Sequence, residues 1–280
     1  MLQEMGVRVW LAQAAPARVV DAQPSAVPDP VSAAAVAIEI SVVAALNTPL
    51  TVKPGAAAAR PTPDAASARS EPSGLPTDLA DMDWPALAHS VADCQACQLC
   101  AGRRSPVFGG SQTRAQTDWL LVGEPPDEAE ERSGTPFAEQ SGQLLDNMLK
   151  AVGVRRLGAP GGRANAAYLT NVVKCRPAAV RNPEPQELAT CANYLAREVA
   201  LVQPKVILAL GRFAAQTLLQ GSLPEVAGVP LGKLRGQVYR YRGIPVVVSY
   251  HPSYLLRTPQ DKARAWADLC LALDVMQRTP

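Results

Sequence analysis

The chain has 280 residues, and its formal net charge of +2 is unevenly spread, because residues 1–85 carry five Lys/Arg against nine Asp/Glu whereas residues 86–280 carry 22 against 16. A content of 48% hydrophobic residues excludes a fully disordered protein, and six cysteines in a chain of this length exclude a small disulfide scaffold. The basic second part permits nucleic-acid binding without requiring it.

Residues 1–85 form a low-complexity tail rich in Ala and Pro. The first 80 residues hold ten of the 26 prolines and one aromatic residue, Trp10, so they offer few side chains that could fill a core. The segment 31–52 is apolar, but a glutamate interrupts it and alanine dominates, which favours a short marginal helix or strand over a membrane span. The start of the chain lacks the pattern of a secretory signal peptide. We therefore expect a disordered tail and a folded domain over residues 86–280, in a cytoplasmic protein.

Three cysteines near the start of this domain, Cys94, Cys97 and Cys100, form a Cys-x-x-Cys-x-x-Cys pattern. In a reducing compartment, clustered cysteines favour metal or redox chemistry over disulfides. The pattern does not open a helix directly after a strand, which argues against a thioredoxin-type pair. Two of these thiolates can bind one metal centre, and a set of four suits either zinc or a [4Fe–4S] cluster.

Two distant cysteines are candidates for the other ligands. Cys175 ends an apolar run, and Cys191 lies sixteen residues later in a predicted helix. The Pro-rich loop between them can bring both thiols to the first pair. Cys100 competes for the fourth place, and the residues alone leave that choice open. Cys270 lies in the predicted last helix, where the role of a small buried hydrophobic residue explains it.

Apolar strands and amphipathic helices alternate along the rest of the domain. Strands are predicted at 118–123, 168–173 and 205–211, a hairpin at 238–241 and 245–250, and helices at 141–152, 185–202, 213–219 and 259–277. Such alternation is typical of a mostly parallel sheet covered by helices on both faces. We therefore predict an α/β fold, a three-layer α/β/α sandwich preceded by the disordered tail.

Polar residues follow three of the predicted strands. Glu124 follows the first, Asn171 with Lys174 and Arg176 closes the second, and His251 follows the hairpin. In parallel sheets, ligands bind beyond the C-terminal ends of the strands. These positions predict one functional site at that edge.

Five segments of the domain resemble the family 4, iron–sulfur uracil-DNA glycosylases. They occur in the order of that family and are Val107-Phe-Gly109, LVGEPP at 121–126, GTPF at 134–137, TNVVKCRP at 170–177 and HPSYLLR at 251–257. The resemblance covers residues 90–275, and its last two segments are the most specific. It implies the fold of that superfamily and an enzyme that hydrolyses the N-glycosidic bond of uracil in DNA. The products would be free uracil and an abasic site, which starts base excision repair.

The resemblance implies a [4Fe–4S] cluster and its ligands. These would be Cys94, Cys97, Cys175 and Cys191, and Cys100 stands where relatives vary. Zinc in place of iron would instead make the protein a metal-stabilised nucleic-acid module.

The resemblance also implies how the base is recognised. Phe137 would stack on the flipped base, Asn171 would pair with the polar edge of uracil, and His251 would donate to the oxygen that gains negative charge. Glu124 and the turn 123–127 would position water or stabilise the cationic sugar. The turn residues expected to contact the substrate are Gly123, Pro125 and Asp127.

The expected DNA contacts come from two segments. The wedge that fills the vacated stack would consist of Tyr254, Leu255 and Leu256, with Arg257 near phosphate. Further phosphate contacts would come from Lys174, Arg176 and Arg181.

Two segments depart from the family pattern. Where relatives have Gly-Glu-Gly/Ala-Pro-Gly, Pro125 removes a backbone N–H and Asp127 replaces a glycine that could allow close backbone approach. Residues 138–142 read Ala-Glu-Gln-Ser-Gly in place of Val-Gly-Arg-Ala-Gly. The alternative hypothesis is therefore a catalytically weakened or inactive, DNA-binding or replisome-associated member of the same superfamily.

The start of the tail carries a separate signal. Residues 2–10 resemble the opening of the psi subunit of bacterial DNA polymerase III, which implies a docking peptide within residues 1–12 for a replication protein. A peptide tethered in this way raises the local concentration of the enzyme at its partner. We otherwise expect a monomer that acts on uracil-containing DNA, is nucleoid-associated and does not contact a membrane.

Overall fold

The computed structural model describes residues 74–109, 116–158, 165–178 and 181–279. The predictions for residues 1–73 of the tail, including the segment 31–52 and the peptide at 1–12, lie outside these residues. Within the described ranges, no helix is long and apolar enough to cross a bilayer.

The described residues form one six-stranded sheet with the strand order β2-β3-β1-β4-β6-β5. The strands are β1 Trp119–Gly123, β2 Arg155–Arg156, β3 Ala166–Asn171, β4 Val206–Leu210, β5 Val238–Tyr241 and β6 Ile244–Ser249. Strand β5 at the edge is antiparallel to β6, and the other pairs are parallel. The predicted mostly parallel sheet is confirmed.

Helices cover both faces of this sheet. They are α1 Trp84–Asp93, α2 Glu128–Ser133, α3 Glu139–Ala151, α4 Pro185–Val202, α5 Arg212–Leu219, α6 Leu231–Leu234, α7 Pro252–Arg257 and α8 Lys262–Arg278. Alternate residues of a strand point to opposite faces. Accordingly Leu120 and Val122 pack in the layer with α1, α4 and α5, whereas Trp119 and Leu121 pack in the layer with α3 and α8. The three-layer α/β/α architecture is therefore confirmed.

The structure differs from the predicted elements at their ends and adds elements that were not predicted, among them helix α1 and strand β2. Strand β3 ends at Asn171, two residues before the predicted end, because Val172 turns and donates its backbone N–H to the carbonyl of Gly123 at 3.0 Å. The packed core also begins before residue 86, since Leu79 and Trp84 are both buried in it. The short helices α2, α6 and α7 were not predicted, because four to six residues are too few to show a helical period.

Candidate active site

The polar residues that follow the strands meet at the carboxyl edge of the sheet. Gly123 at the end of β1 pairs in register with Asn171 at the end of β3. On the other side, the N–H of Gly211 after β4 donates to the carbonyl of Ser249 at the end of β6, at 2.9 Å. A cleft of about 770 Å³ opens at this edge. Its lining includes Glu124, Pro125, Asp127, Arg176, Arg181, Arg212, His251, Tyr254 and Arg257.

Glu124 is held at the start of helix α5. Its Oε1 accepts the backbone N–H of Phe213 at 2.8 Å. Gly211 makes this possible, because its φ is +111° and a Cβ there would lie 2.1 Å from the same carboxylate oxygen. Burial raises the pKa of Glu124 to about 7. The backbone N–H of Phe213 and the positive charge of Arg212 lower this pKa, but their effects are smaller than that of burial. Glu124 therefore changes charge near neutral pH while it faces the cleft.

One ring nitrogen of His251 is buried without a hydrogen-bond partner. Its Nδ1 accepts the backbone N–H of Ser253 at 3.3 Å and lies 2.8 Å from the Ser253 hydroxyl. Because Nδ1 accepts, the ring proton is on Nε2, and Nε2 is buried with no hydrogen-bond partner. Burial, with a smaller contribution from Arg257, lowers the pKa of His251 to about 4. At neutral pH His251 is an uncharged imidazole with a free N–H donor.

The side-chain amide of Asn171 is buried and only half satisfied. Its Nδ2 donates to the backbone oxygen of Glu124 at 2.9 Å and to Oε1 of Glu130 at 3.1 Å. Its Oδ1 is buried without a partner. A buried unpaired acceptor is rare in folded proteins and is typical of a site that awaits a ligand.

The ring of Phe137 stacks on the imidazole of His251, with ring centroids 5.2 Å apart and an interplanar angle of 21°. The loop that carries it has φ of +54° at Phe137 and +50° at Glu139, where the family pattern has glycine at the second position. Arg156 donates to the carbonyl of Phe137 at 2.8 Å and to that of Pro136 at 2.9 Å. This guanidinium contact holds the strained loop, and the aromatic ring, in place.

The turn 123–127 explains one departure from the family pattern. Asp127 has φ of −89°, an ordinary extended value, and its carboxylate accepts the N–H of Glu130 at 2.9 Å as the N-cap of α2. Glu130 returns the contact by accepting the N–H of Asp127 at 2.8 Å. The backbone at this position therefore needs no glycine, and Asp127 stabilises the helix that follows.

Helix α7 separates the residues of the predicted wedge. Leu256 is 40% exposed and Arg257 is also exposed, as a contact with DNA requires. Leu255 is fully buried, so the structure removes it from the wedge. Tyr254 stacks on Tyr250 and its hydroxyl donates to Asp261 at 2.7 Å, so its ring lies at the cleft wall.

Lys174 does not face the cleft. Its side chain is buried, and its Nζ lies 2.5 Å from the Glu198 carboxylate. The same ammonium donates to the Thr170 hydroxyl at 2.6 Å and to the Asn171 carbonyl at 2.9 Å. This corrects the prediction of a phosphate contact, because a buried and paired ammonium positions the backbone of Asn171 instead.

The other predicted phosphate contacts do line the cleft. Arg176 pairs with Glu131 at 2.9 Å and Arg181 pairs with Glu187 at 2.6 Å. Sequence reasoning missed Arg212, which is exposed at the cleft where α5 begins. The Gly-Arg pair directly after an apolar strand was the signal for it. It also missed Glu130, which gave no signal within an acidic run.

The cysteines lie on the α1–α4 side of the sheet. Five of them line one narrow cavity with mostly apolar walls, namely Cys94, Cys97, Cys100, Cys175 and Cys191. Burial raises the pKa of Cys97 to about 11 and that of Cys191 to about 12. Arg103 donates to Cys175 Sγ at 3.1 Å. Within the described ranges no three potential ligands lie close enough together to hold a single metal ion.

The folded part of the chain is similar to known proteins. The family profile described as "Uracil DNA glycosylase superfamily" matches residues 111–270. The Type-4 uracil-DNA glycosylase of Thermotoga maritima is 35% identical over 181 residues, which is 64% of this chain and 85% of the relative. That of Archaeoglobus fulgidus is 33% identical over 178 residues, 62% of this chain and 83% of the relative. The Type-5 uracil-DNA glycosylase of Thermus thermophilus is 30% identical over 160 residues and is covered to 73% of its length.

Proposed function

This chain belongs to the uracil-DNA glycosylase superfamily, and we propose that it hydrolyses the N-glycosidic bond of uracil in DNA and so starts base excision repair. The products are free uracil and an abasic site. The observation that carries this function is a pair of buried polar atoms without partners at the carboxyl edge of the sheet, Asn171 Oδ1 and His251 Nε2. One is an acceptor and the other a donor, and uracil offers an N–H and carbonyl oxygens to match them.

Uracil has to leave the base stack before its glycosidic bond can break, because the buried atoms of Asn171 and His251 cannot reach a base inside the duplex. Asn171 Oδ1 accepts the N3–H of the flipped uracil. The Nε2–H of His251 donates to a uracil oxygen that becomes negative as the base departs. A neutral imidazole suits this role, because its Nε2–H donates a hydrogen bond to the departing base without transferring the proton. The lowered pKa of His251 keeps the ring neutral. The aromatic ring of Phe137 stacks on the flipped base.

Glu124 lines the same cleft as His251. In its ionised form it stabilises the cationic sugar that develops as the bond breaks, or orients the attacking water. The N-terminus of α5 fixes the position of its carboxylate, which supports a role that depends on orientation.

We further propose that Cys94, Cys97, Cys175 and Cys191 hold a [4Fe–4S] cluster. The donor set fits, because these thiols line one cavity and thiolates are the ligands of such clusters. A bound cluster would supply iron–sulfur bonds that cross-link the segment after α1, the turn after β3 and helix α4. Arg103, with its guanidinium on Cys175, would offset the negative charge of the thiolates.

The hypothesis of an inactive member is based on the altered turn 123–127. The N-cap role of Asp127 accounts for the departure at that position, and no observation on the described residues favours inactivity. The tail is proposed to dock a replication protein through residues 1–12, and binding of a tail peptide to such a subunit would test this.

Release of uracil from a labelled oligonucleotide tests the function. His251→Ala and Asn171→Ala should each slow single-turnover release by roughly tenfold to a thousandfold, the range for loss of an oriented group in a water-poor site. DNA affinity should change little, because the phosphate contacts lie elsewhere, and Cys270→Ser is the control that should behave as wild type. A wild-type protein that binds DNA but releases no uracil would contradict the proposal.

A further inference from the structure

Glu130 is a buried carboxylate that the mechanism above does not use. It lies in the first turn of α2 and is only 3% exposed. Its two oxygens accept three donors, namely the N–H of Asp127 at 2.8 Å, the N–H of Phe137 at 2.5 Å and the Nδ2 of Asn171 at 3.1 Å. One side chain thus joins the turn, the stacking residue and the base-reading amide.

These contacts fix which way the amide of Asn171 faces. A carboxylate and a backbone carbonyl can only accept hydrogen bonds, and Nδ2 meets one of each, on Glu130 and Glu124. Both amide hydrogens are therefore engaged within the protein. The oxygen Oδ1 is left buried without a partner, so the amide offers the base an acceptor.

We propose that Glu130 determines the selection of uracil over cytosine, by holding the Asn171 amide with its oxygen toward the base. Uracil carries a hydrogen on N3 and pairs with this acceptor, whereas N3 of cytosine carries a lone pair and meets it with repulsion. This inference is based on the proposed function and assigns the discrimination to a residue that does not itself touch the base. Glu130 is a positioning residue for Asn171.

The neighbouring Glu131 provides a matched control. It is equally buried, but it accepts from the side chain of Arg176 at 2.9 Å and from the N–H of Arg104 at 2.9 Å, whereas the Asn171 amide donates to Glu130. Neutralising Glu131 therefore removes a buried carboxylate from the same helix without releasing the amide.

The first experiment measures single-turnover release of uracil and of cytosine from otherwise identical oligonucleotides. In Glu130→Gln the new amide offers hydrogens to Asn171, which lets Asn171 turn and present Nδ2 to the base. We expect the ratio of uracil to cytosine release to fall by about tenfold to a hundredfold, the effect of losing one hydrogen bond to a charged group. Glu131→Gln should keep the wild-type ratio, whatever its effect on DNA affinity.

The second experiment needs no activity and uses thermal unfolding. Asn171→Asp places a carboxylate against Glu130 and should lower the melting temperature. The double variant Glu130→Gln with Asn171→Asp should recover part of that loss, because a Gln amide donates to the new carboxylate. Glu131→Gln with Asn171→Asp should show no such recovery.

The outcomes separate this inference from the proposed function. A wild-type protein that releases no uracil overturns the function and the selectivity together. A wild-type ratio in folded Glu130→Gln overturns the role of Glu130 alone. If Glu130→Gln does not fold, a double variant that melts no higher than Asn171→Asp overturns the contact on which the role depends.

Discussion

Two ionisable residues of the cleft have pKa values displaced in opposite directions by the same cause. Burial disfavours the charged form of either group, so it raises the pKa of Glu124 to about 7 and lowers that of His251 to about 4. A neutral donor and a carboxylate that titrates near pH 7 therefore stand in one site. Two groups in one site whose pKa values are shifted in opposite directions are typical of the acid and base residues of an enzyme.

We predict a rate of uracil release that depends on pH through Glu124. A raised pKa means that the carboxylate is protonated below about pH 7, so the rate should rise through that pH and level off above it if the anion is the active form. His251 should add no inflection near its ordinary value, because it is already neutral there. Single-turnover rates across this range provide the measurement. In Glu124→Gln the inflection should disappear, and an unchanged profile would contradict the assignment.

At the scale of elements, helix α7 has two adjacent leucines of which one is exposed to solvent and the other is buried. Leu256 is exposed to solvent, while Leu255 packs in the core. We predict that Leu256→Ala slows release from double-stranded DNA by about tenfold but leaves single-stranded DNA nearly unaffected, because only a duplex has a stack to fill.

The matched change on this helix is Leu255→Ala. It should lower thermal stability through a core cavity, without a preference between the two kinds of DNA. Equal effects of Leu256→Ala on single and double strands would contradict the wedge.

Helix α1 is attached to the sheet by an aromatic contact. Trp84 is buried, with its ring centroid 5.4 Å from Tyr168 and 6.3 Å from Phe108. Trp84→Ala should destabilise the protein by about 3–5 kcal/mol, the cost of deleting a large core side chain. Chemical denaturation provides the measurement. His89→Ala on the exposed side of the same helix should change stability by less than about 0.5 kcal/mol, and a similarly small effect at Trp84 would show that α1 is not part of the core.

At the scale of the whole molecule, the thiol-lined cavity and the cleft both take lining residues from the segment after β3, Cys175 for the cavity and Arg176 for the cleft. Lys174 connects them, since its backbone N–H donates to Cys191 Sγ at 3.3 Å and its ammonium donates to the Asn171 carbonyl at 2.9 Å. The buried pair with Glu198 fixes this lysine. A change of packing at the cysteines therefore has a short covalent and hydrogen-bonded path to the base-reading residue.

We predict a brown protein with about four iron atoms per chain and broad absorption near roughly 400 nm. Cys175→Ser and Cys191→Ser should lose the colour and melt at lower temperature, because the cluster ties three segments together. Cys270→Ser should keep both, and so should Cys100→Ser, although Cys100 lines the same cavity. Iron analysis after anaerobic purification provides the measurement. Stoichiometric zinc without iron would contradict the prediction.

The sequence by itself determined the elements whose pattern is local. The helix predicted at 185–202 has those bounds in the structure, and the apolar strands lie within two residues of their predicted positions, because a buried strand or an amphipathic helix is set by the residues within it. The motif order identified the family, and the comparisons confirm it. Asn171, His251 and Glu124 were placed correctly at one sheet edge, since parallel strands end together.

Tertiary structure alone decided which side chains are free to act. Lys174 and Arg257 are both basic residues in segments that resemble the family, yet one is buried against Glu198 and the other is exposed at the cleft. Glu130 lies in an acidic run that suggests a solvated surface, and folding buries it against Asn171. The physical reason is that burial and hydrogen-bond partners come from residues far apart in the chain, whereas the sequence pattern reports only near neighbours.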